Sequence, residues 1–99
     1  MSNANLTSAD LGGVDLEYDN LSEANLMDTN LRGVNLRGAN LIRADLSGAD
    51  LTDVCLSGTN LNSADLSGAV WNDDTVFPEG FEIPEMSRDL DDQDGDFGL

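Results

Sequence analysis

Ninety-nine residues, a net charge of −16 and no histidine or lysine bound what this chain can do. The length suits one domain, and no stretch approaches the about 20 apolar residues of a membrane span. Without imidazole or amine side chains, the commonest general base, Schiff-base nucleophile and metal ligand are missing.

From the first residues a period of five appears. Leucine recurs every fifth residue from Leu6 to Leu66, thirteen times without a miss, and the phase continues through Trp71, Val76 and Phe81. A step of five turns successive leucines roughly 140° apart on a helix and sends them to opposite faces of a strand. Neither element buries the pattern on one side, so the chain must bend between one leucine and the next. Two residues before each leucine stands a small residue, Ala, Val or Thr, with Asp19 the exception. On an extended stretch residues two apart share a face, so small residue and leucine point inward together. The residue between them points outward and is Asn or Asp in twelve of thirteen units, Cys55 being the departure. Two looser positions follow. Glycine holds the second of them in six units, where a type II turn needs positive φ. Asn and Asp can support such turns by bonding nearby backbone groups.

The stretches ANLTSADLGGVDL and ADLSGADLTDV resemble the A(D/N)LXX repeats of the pentapeptide-repeat proteins, strictly over residues 4–73 and in degenerate form to 84. The resemblance implies an all-β fold, a right-handed quadrilateral β-helix with four pentapeptides per turn and a C-terminal cap. Twenty residues per turn would stack Leu6, Leu26, Leu46 and Leu66 in one interior column. The other columns become Leu11, Leu31, Leu51 and Trp71; Leu16, Leu36, Leu56 and Val76; and Leu21, Leu41, Leu61 and Phe81. Coils would lie about 4.8 Å apart.

This reading divides the chain into a pentapeptide-repeat β-helix over residues 1–73, a degenerate repeat and cap over 74–84, and an acidic tail over 85–99. Stacked coils leave an apolar end that needs covering, and AVWNDDTVFPEGFEIP supplies Trp71, Phe77, Phe81 and Ile83 for it. In the tail, DDQDGDFGL superficially resembles a calcium loop, but counting back from Gly95 puts Leu90 at the first ligand position. A solvated acidic segment is the better reading, with Met86, Leu90 and Phe97 available to pin it to the tower. At the other end only Met1, Ser2 and Asn3 precede the first unit, so coil one is expected to present an open edge through which a second copy could pair.

The chemistry expected is correspondingly spare. Cys55 has no imidazole to activate it; as a lone cysteine it excludes an internal disulfide and, with no secretory pattern in MSNANLTSAD, points to the cytoplasm. The carboxylates mostly occupy the outward position that alternates Asn with Asp, which argues for turn support rather than catalysis. No catalytic, cofactor-binding or metal-binding residues are expected, and no cofactor. Asp19 breaks the inward rule; it either lines a small site near the open end or, at the coil edge, reaches solvent or bonds backbone. Arg37 should stack beside Glu17 and Arg43 beside Glu23, one coil apart.

Two functional classes remain. The first is a non-catalytic structural or protein-interaction module with an unknown protein partner, since repeat towers commonly bind through their faces. The alternative, implied by resemblance to longer family members, is a DNA mimic that inhibits a DNA-binding enzyme such as gyrase. Duplex DNA carries one charge per about 1.7 Å, so three and a half coils spanning roughly 17 Å would need about ten charges. Residues 1–73 carry eleven acids and three arginines, net −8, and residues 74–99 hold the other −8. Direct nucleic-acid binding lacks a basic patch.

Overall fold

The computed structural model describes residues 2–83. Each side of the tower contributes one bridging residue, and every bridge is parallel. The bridges run Asn5↔Asn25, Asp10↔Asn30, Asp15↔Asn35 and Asn20↔Asn40, then repeat upward, so one coil takes twenty residues and has four sides. Coil one spans residues 4–23, coil two 24–43 and coil three 44–63, with a fourth coil starting at 64.

Backbone bonding explains why a five-residue unit is self-sufficient. In the unit Ala24–Asp28, the Ala24 N–H closes the preceding turn on the Leu21 carbonyl at 3.0 Å, and the Asn25 N–H reaches down to the Ala4 carbonyl at 2.8 Å. Leu26 and Asp28 donate upward to the Asp45 and Ser47 carbonyls at 2.7 and 2.9 Å. The remaining donor, Met27 N–H, goes to Asn25 Oδ1 at 3.0 Å. All five N–H groups are satisfied without a strand longer than one bridge. The second loose position has φ near +60° or +70° throughout, whether it is Gly33 and Gly48 or Tyr18, Glu23 and Arg43. Positive φ at that position, closed by the bond from residue i+3 to residue i, is the arrangement a type II turn requires. The turn dictates the backbone, and non-glycine residues accept its strain.

The interior follows the columns. Leu21, Leu26, Leu31, Leu36, Leu41, Leu46, Leu51 and Leu56 are all 0 % exposed, with Ala, Val and Thr between them. Buried threonines are satisfied: Thr29 Oγ1 donates to the Leu6 carbonyl at 2.9 Å and Thr59 Oγ1 to that of Leu36 at 2.7 Å. Leu6, Leu11 and Leu66, at the two ends, are half-buried.

The fourth coil corrects two columns: Phe81, expected above Leu61, lies in the Pro78–Glu82 turn, off a ladder that has no bridge beyond Asn60 among the described residues. Val76 was expected above Leu56, but the ladder slips by a residue: Val76 bridges Cys55, and the Leu56 N–H donates to the Val76 carbonyl at 2.7 Å. Val76 therefore faces outward, 48 % exposed, and Phe77 takes the inward place. An extra residue between Asn72 and Val76 causes the slip, and side chains heal it. The Asp53 N–H finds Asn72 Oδ1 at 3.0 Å, where Gly33 one coil below finds the Thr52 carbonyl. Asn72 Nδ2 returns a bond to Asp53 Oδ1 at 2.8 Å. Thr75 Oγ1 donates to the Leu51 carbonyl at 2.7 Å, reproducing the role of Thr29 and Thr59.

Trp71, Phe77 and Phe81 pack partly buried on the core. The Trp71 and Phe77 rings meet edge to face at 5.3 Å, and Phe77 and Phe81 stack at 5.6 Å, both favourable aromatic arrangements. Ile83, expected in the cap, is 51 % exposed. Pro84 and the readings placed on residues 85–99, including the tail and its calcium-loop resemblance, lie outside the described residues.

Candidate interaction surfaces

The outward column is where function would have to reside, and most of it is already committed to the fold. Twelve Asn or Asp residues, from Asn5 to Asp65, each accept the N–H two residues on, at 2.9–3.2 Å. Only an Oδ1 acceptor is needed, which is why Asn and Asp interchange so freely. Cys55 cannot play this part, and its thiol is free and half-buried. Asp65 also accepts the Ser67 hydroxyl and, less strongly, the Ser67 N–H, which together hold its carboxyl below the ordinary value.

Asp19 has a backbone partner. In coils two and three, the Asn40 and Asn60 N–H groups bond the carbonyls of Asp19 and Ala39 beneath them at 2.9 and 3.1 Å. The Asn20 N–H instead takes Asp19 Oδ1 at 2.9 Å. The carboxylate stands where a lower coil would offer a carbonyl, so the odd residue acts as an edge cap at that corner. Of the two ion pairs expected, Arg43 and Glu23 meet, with Nη2 2.9 Å from Oε2. No Arg37–Glu17 pair forms among the described residues.

Charge is dispersed around the tower. One side stacks Asn5, Asn25, Asp45 and Asp65; the next Asp10, Asn30, Asp50 and Val70; the third Asp15, Asn35, Cys55 and Val76. The fourth, Asn20, Asn40 and Asn60, has no carboxylate in its column. One stacked amide–carboxylate pair is bonded directly: Asn30 Nδ2 donates to Asp10 Oδ1 at 3.0 Å. No group of three or more metal-ligating side chains converges among the described residues.

One concavity was not foreseen from the sequence. An open cleft of about 700 Å³ lies between Gly58–Ser63, on the fourth side of coil three, and the Pro78–Glu82 turn. The signal for it was present in FPEG: Pro78 cannot donate to a ladder, Gly80 adopts φ of +80°, and the Phe81 N–H closes on the Pro78 carbonyl at 3.1 Å. The chain turns away, and among the described residues no backbone pairs with this coil edge.

The family model for pentapeptide repeats matches this chain in eight copies, over residues 20–58 and 29–68. The chain belongs to the pentapeptide repeat family. Its fold is therefore the right-handed quadrilateral β-helix that the repeat implies, and the twenty-residue register of the bridges fits it. Among solved structures, a pentapeptide repeat protein of the Arabidopsis thaliana thylakoid lumen matches at 29% identity and a TM-score of 0.66. That match covers 78% of this chain and 57% of the other, so the chain spans little more than half of that relative's length. A pentapeptide repeat protein of Nostoc PCC 7120 is 40% identical over 82% of this chain and 75% of its own, with a TM-score of 0.41. Another, Rfr23 of Cyanothece 51142, is 40% identical over 78% and 59%, with a TM-score of 0.33. No curated protein matches the chain.

Proposed function

We propose that this pentapeptide repeat chain is a non-catalytic module that binds protein partners. The carrying observation is the commitment of the outward column to the turns: twelve Asn or Asp oxygens hold backbone N–H groups. What is left is a stiff body with flat sides, and such surfaces recognise by shape and by residues at the loose positions. Cytoplasmic residence suits the free Cys55 thiol. The test places a photocrosslinking residue on each side, at Met27, Arg32, Ser57 and Asn62, in cells. Adducts to one protein concentrated on one side are expected; no adducts, or an even spread over all four sides, would refute the reading.

A second copy belongs among the proposed partners. At the rim of coil one the Asp10 and Asp15 N–H groups have no bond among the described residues, and Leu6 and Leu11 are half-buried. Analytical ultracentrifugation should show association that salt strengthens by screening repulsion and Leu6→Lys weakens. A monomer at millimolar concentration and high salt removes it. DNA mimicry is the weaker alternative, because amides and Arg32 and Arg37, which form no ion pair among the described residues, interrupt the carboxylates; a gyrase supercoiling assay should show no inhibition.

A further inference from the structure

Three sides of coil three continue upward into coil four, through Asp45↔Asp65, Asp50↔Val70 and Cys55↔Val76. On the fourth side the ladder Asn20↔Asn40↔Asn60 has no further bridge among the described residues. One coil lower, Leu41 and Arg43 donate upward to the Asn60 and Asn62 carbonyls at 2.8 and 2.9 Å. Their successors, the Leu61 and Ser63 N–H groups, have no bond among the described residues. The Thr59 carbonyl likewise lacks the N–H that its counterparts Asp19 and Ala39 receive from above.

We propose that this edge, residues 59–63, accepts one extended strand of a basic peptide, laid parallel to it in the cleft before the Pro78–Glu82 turn. The proposal rests on the interaction-module reading and names its site. The free groups specify the occupant's backbone. One of its residues offers N–H to Thr59 and carbonyl to Leu61, and the residue two further on offers carbonyl to Ser63. That is the arrangement each underlying side already makes, and adding a strand to an exposed edge is an established mode of peptide capture. Three residues extend about 10 Å, and the cleft of about 700 Å³ holds them.

Side-chain chemistry narrows the partner further. Leu61 and Phe81 line the cleft and offer an apolar floor to the inward side chain between the two bonding residues. Glu79 and Glu82 stand exposed on its rim, and no cation lines it among the described residues. The outward-pointing neighbours of the occupant's apolar residue are therefore lysine or arginine.

The experiment uses the full chain and two capped peptides, Lys-Val-Lys-Val-Lys-Val and Glu-Val-Glu-Val-Glu-Val, at low salt. Amide hydrogen exchange read by NMR should slow at least tenfold at Leu61 and Ser63 with the basic peptide, and remain unchanged with the acidic one. The exposed double variant Glu79→Lys, Glu82→Lys should weaken basic-peptide binding at least fivefold. Basic peptide that binds without protecting those two amides, equal protection by both peptides, or no protection at millimolar peptide would each overturn the proposal. Because the crosslinking test reads any side of the tower, it can succeed while this one fails.

Discussion

Leu46→Ala tests the inward/outward scheme at its centre. Leu46 is 0 % exposed, between Leu26 below and Leu66 above in one column. Loss of buried methyl groups costs about 2 kcal/mol in transfer free energy, and the total reaches about 5 kcal/mol where the void cannot close. Here closure along the tower is opposed by the ladders on both sides of the site. Leu26 N–H to Asp45 carbonyl and Leu46 N–H to Asp65 carbonyl, both 2.7 Å, fix the spacing of the coils. The expected loss is therefore in the upper range, about 3–5 kcal/mol. Leu66→Ala, half-buried at the end of the same column, should lose only about 1–2 kcal/mol. Asp45→Asn keeps the Oδ1 that accepts the Ser47 N–H at 3.0 Å and should stay within about 0.5 kcal/mol of the parent. Urea unfolding followed by circular dichroism and by Trp71 fluorescence would measure all three, and coincident curves would show that the coils unfold together. A Leu46→Ala loss below about 1 kcal/mol, or one equal to that of Asp45→Asn, would refute the packing argument.

Three further outcomes can be checked by the same unfolding measurements. Phe77→Ala should cost about 2–4 kcal/mol, because its ring packs between those of Trp71 and Phe81, whereas Val76→Ala should cost under about 0.5 kcal/mol; the reverse order would restore Val76 to the interior column. Asp19→Ala should destabilise by about 0.5–1.5 kcal/mol through the lost Asn20 N–H bond, and a raised melting temperature would instead show a carboxylate penalised by enclosure. Asp65 has a lowered carboxyl pKa, so its stabilisation is complete above the unfolded value and is lost as pH falls through the folded one. The stability difference between the parent and Asp65→Asn should shrink on acidification, and a difference that grows would contradict that sign.

Much of this protein can be read from its period. Thirteen leucines at intervals of five demand a bend per unit. The Asn or Asp before twelve of those leucines identifies the side chain that holds the bend, because both steps are local and involve residues two or three apart. The partners across twenty residues came with the family resemblance, since spacing alone states how often the chain turns and not how many turns close a coil. Tertiary structure alone decided how the regularity ends. The slip that puts Phe77 rather than Val76 inside depends on Asn72 and Thr75 finding Asp53 and Leu51 in the coil beneath. Local spacing could not choose, since both Val76 and Phe77 are apolar. Asp19, an anomaly in the linear pattern, acquires a reason only at an edge where the Asn20 N–H has no carbonyl below. The edge at residues 59–63, unpaired among the described residues, likewise exists because Pro78 and Gly80 turn the chain away from a ladder assembled from distant segments.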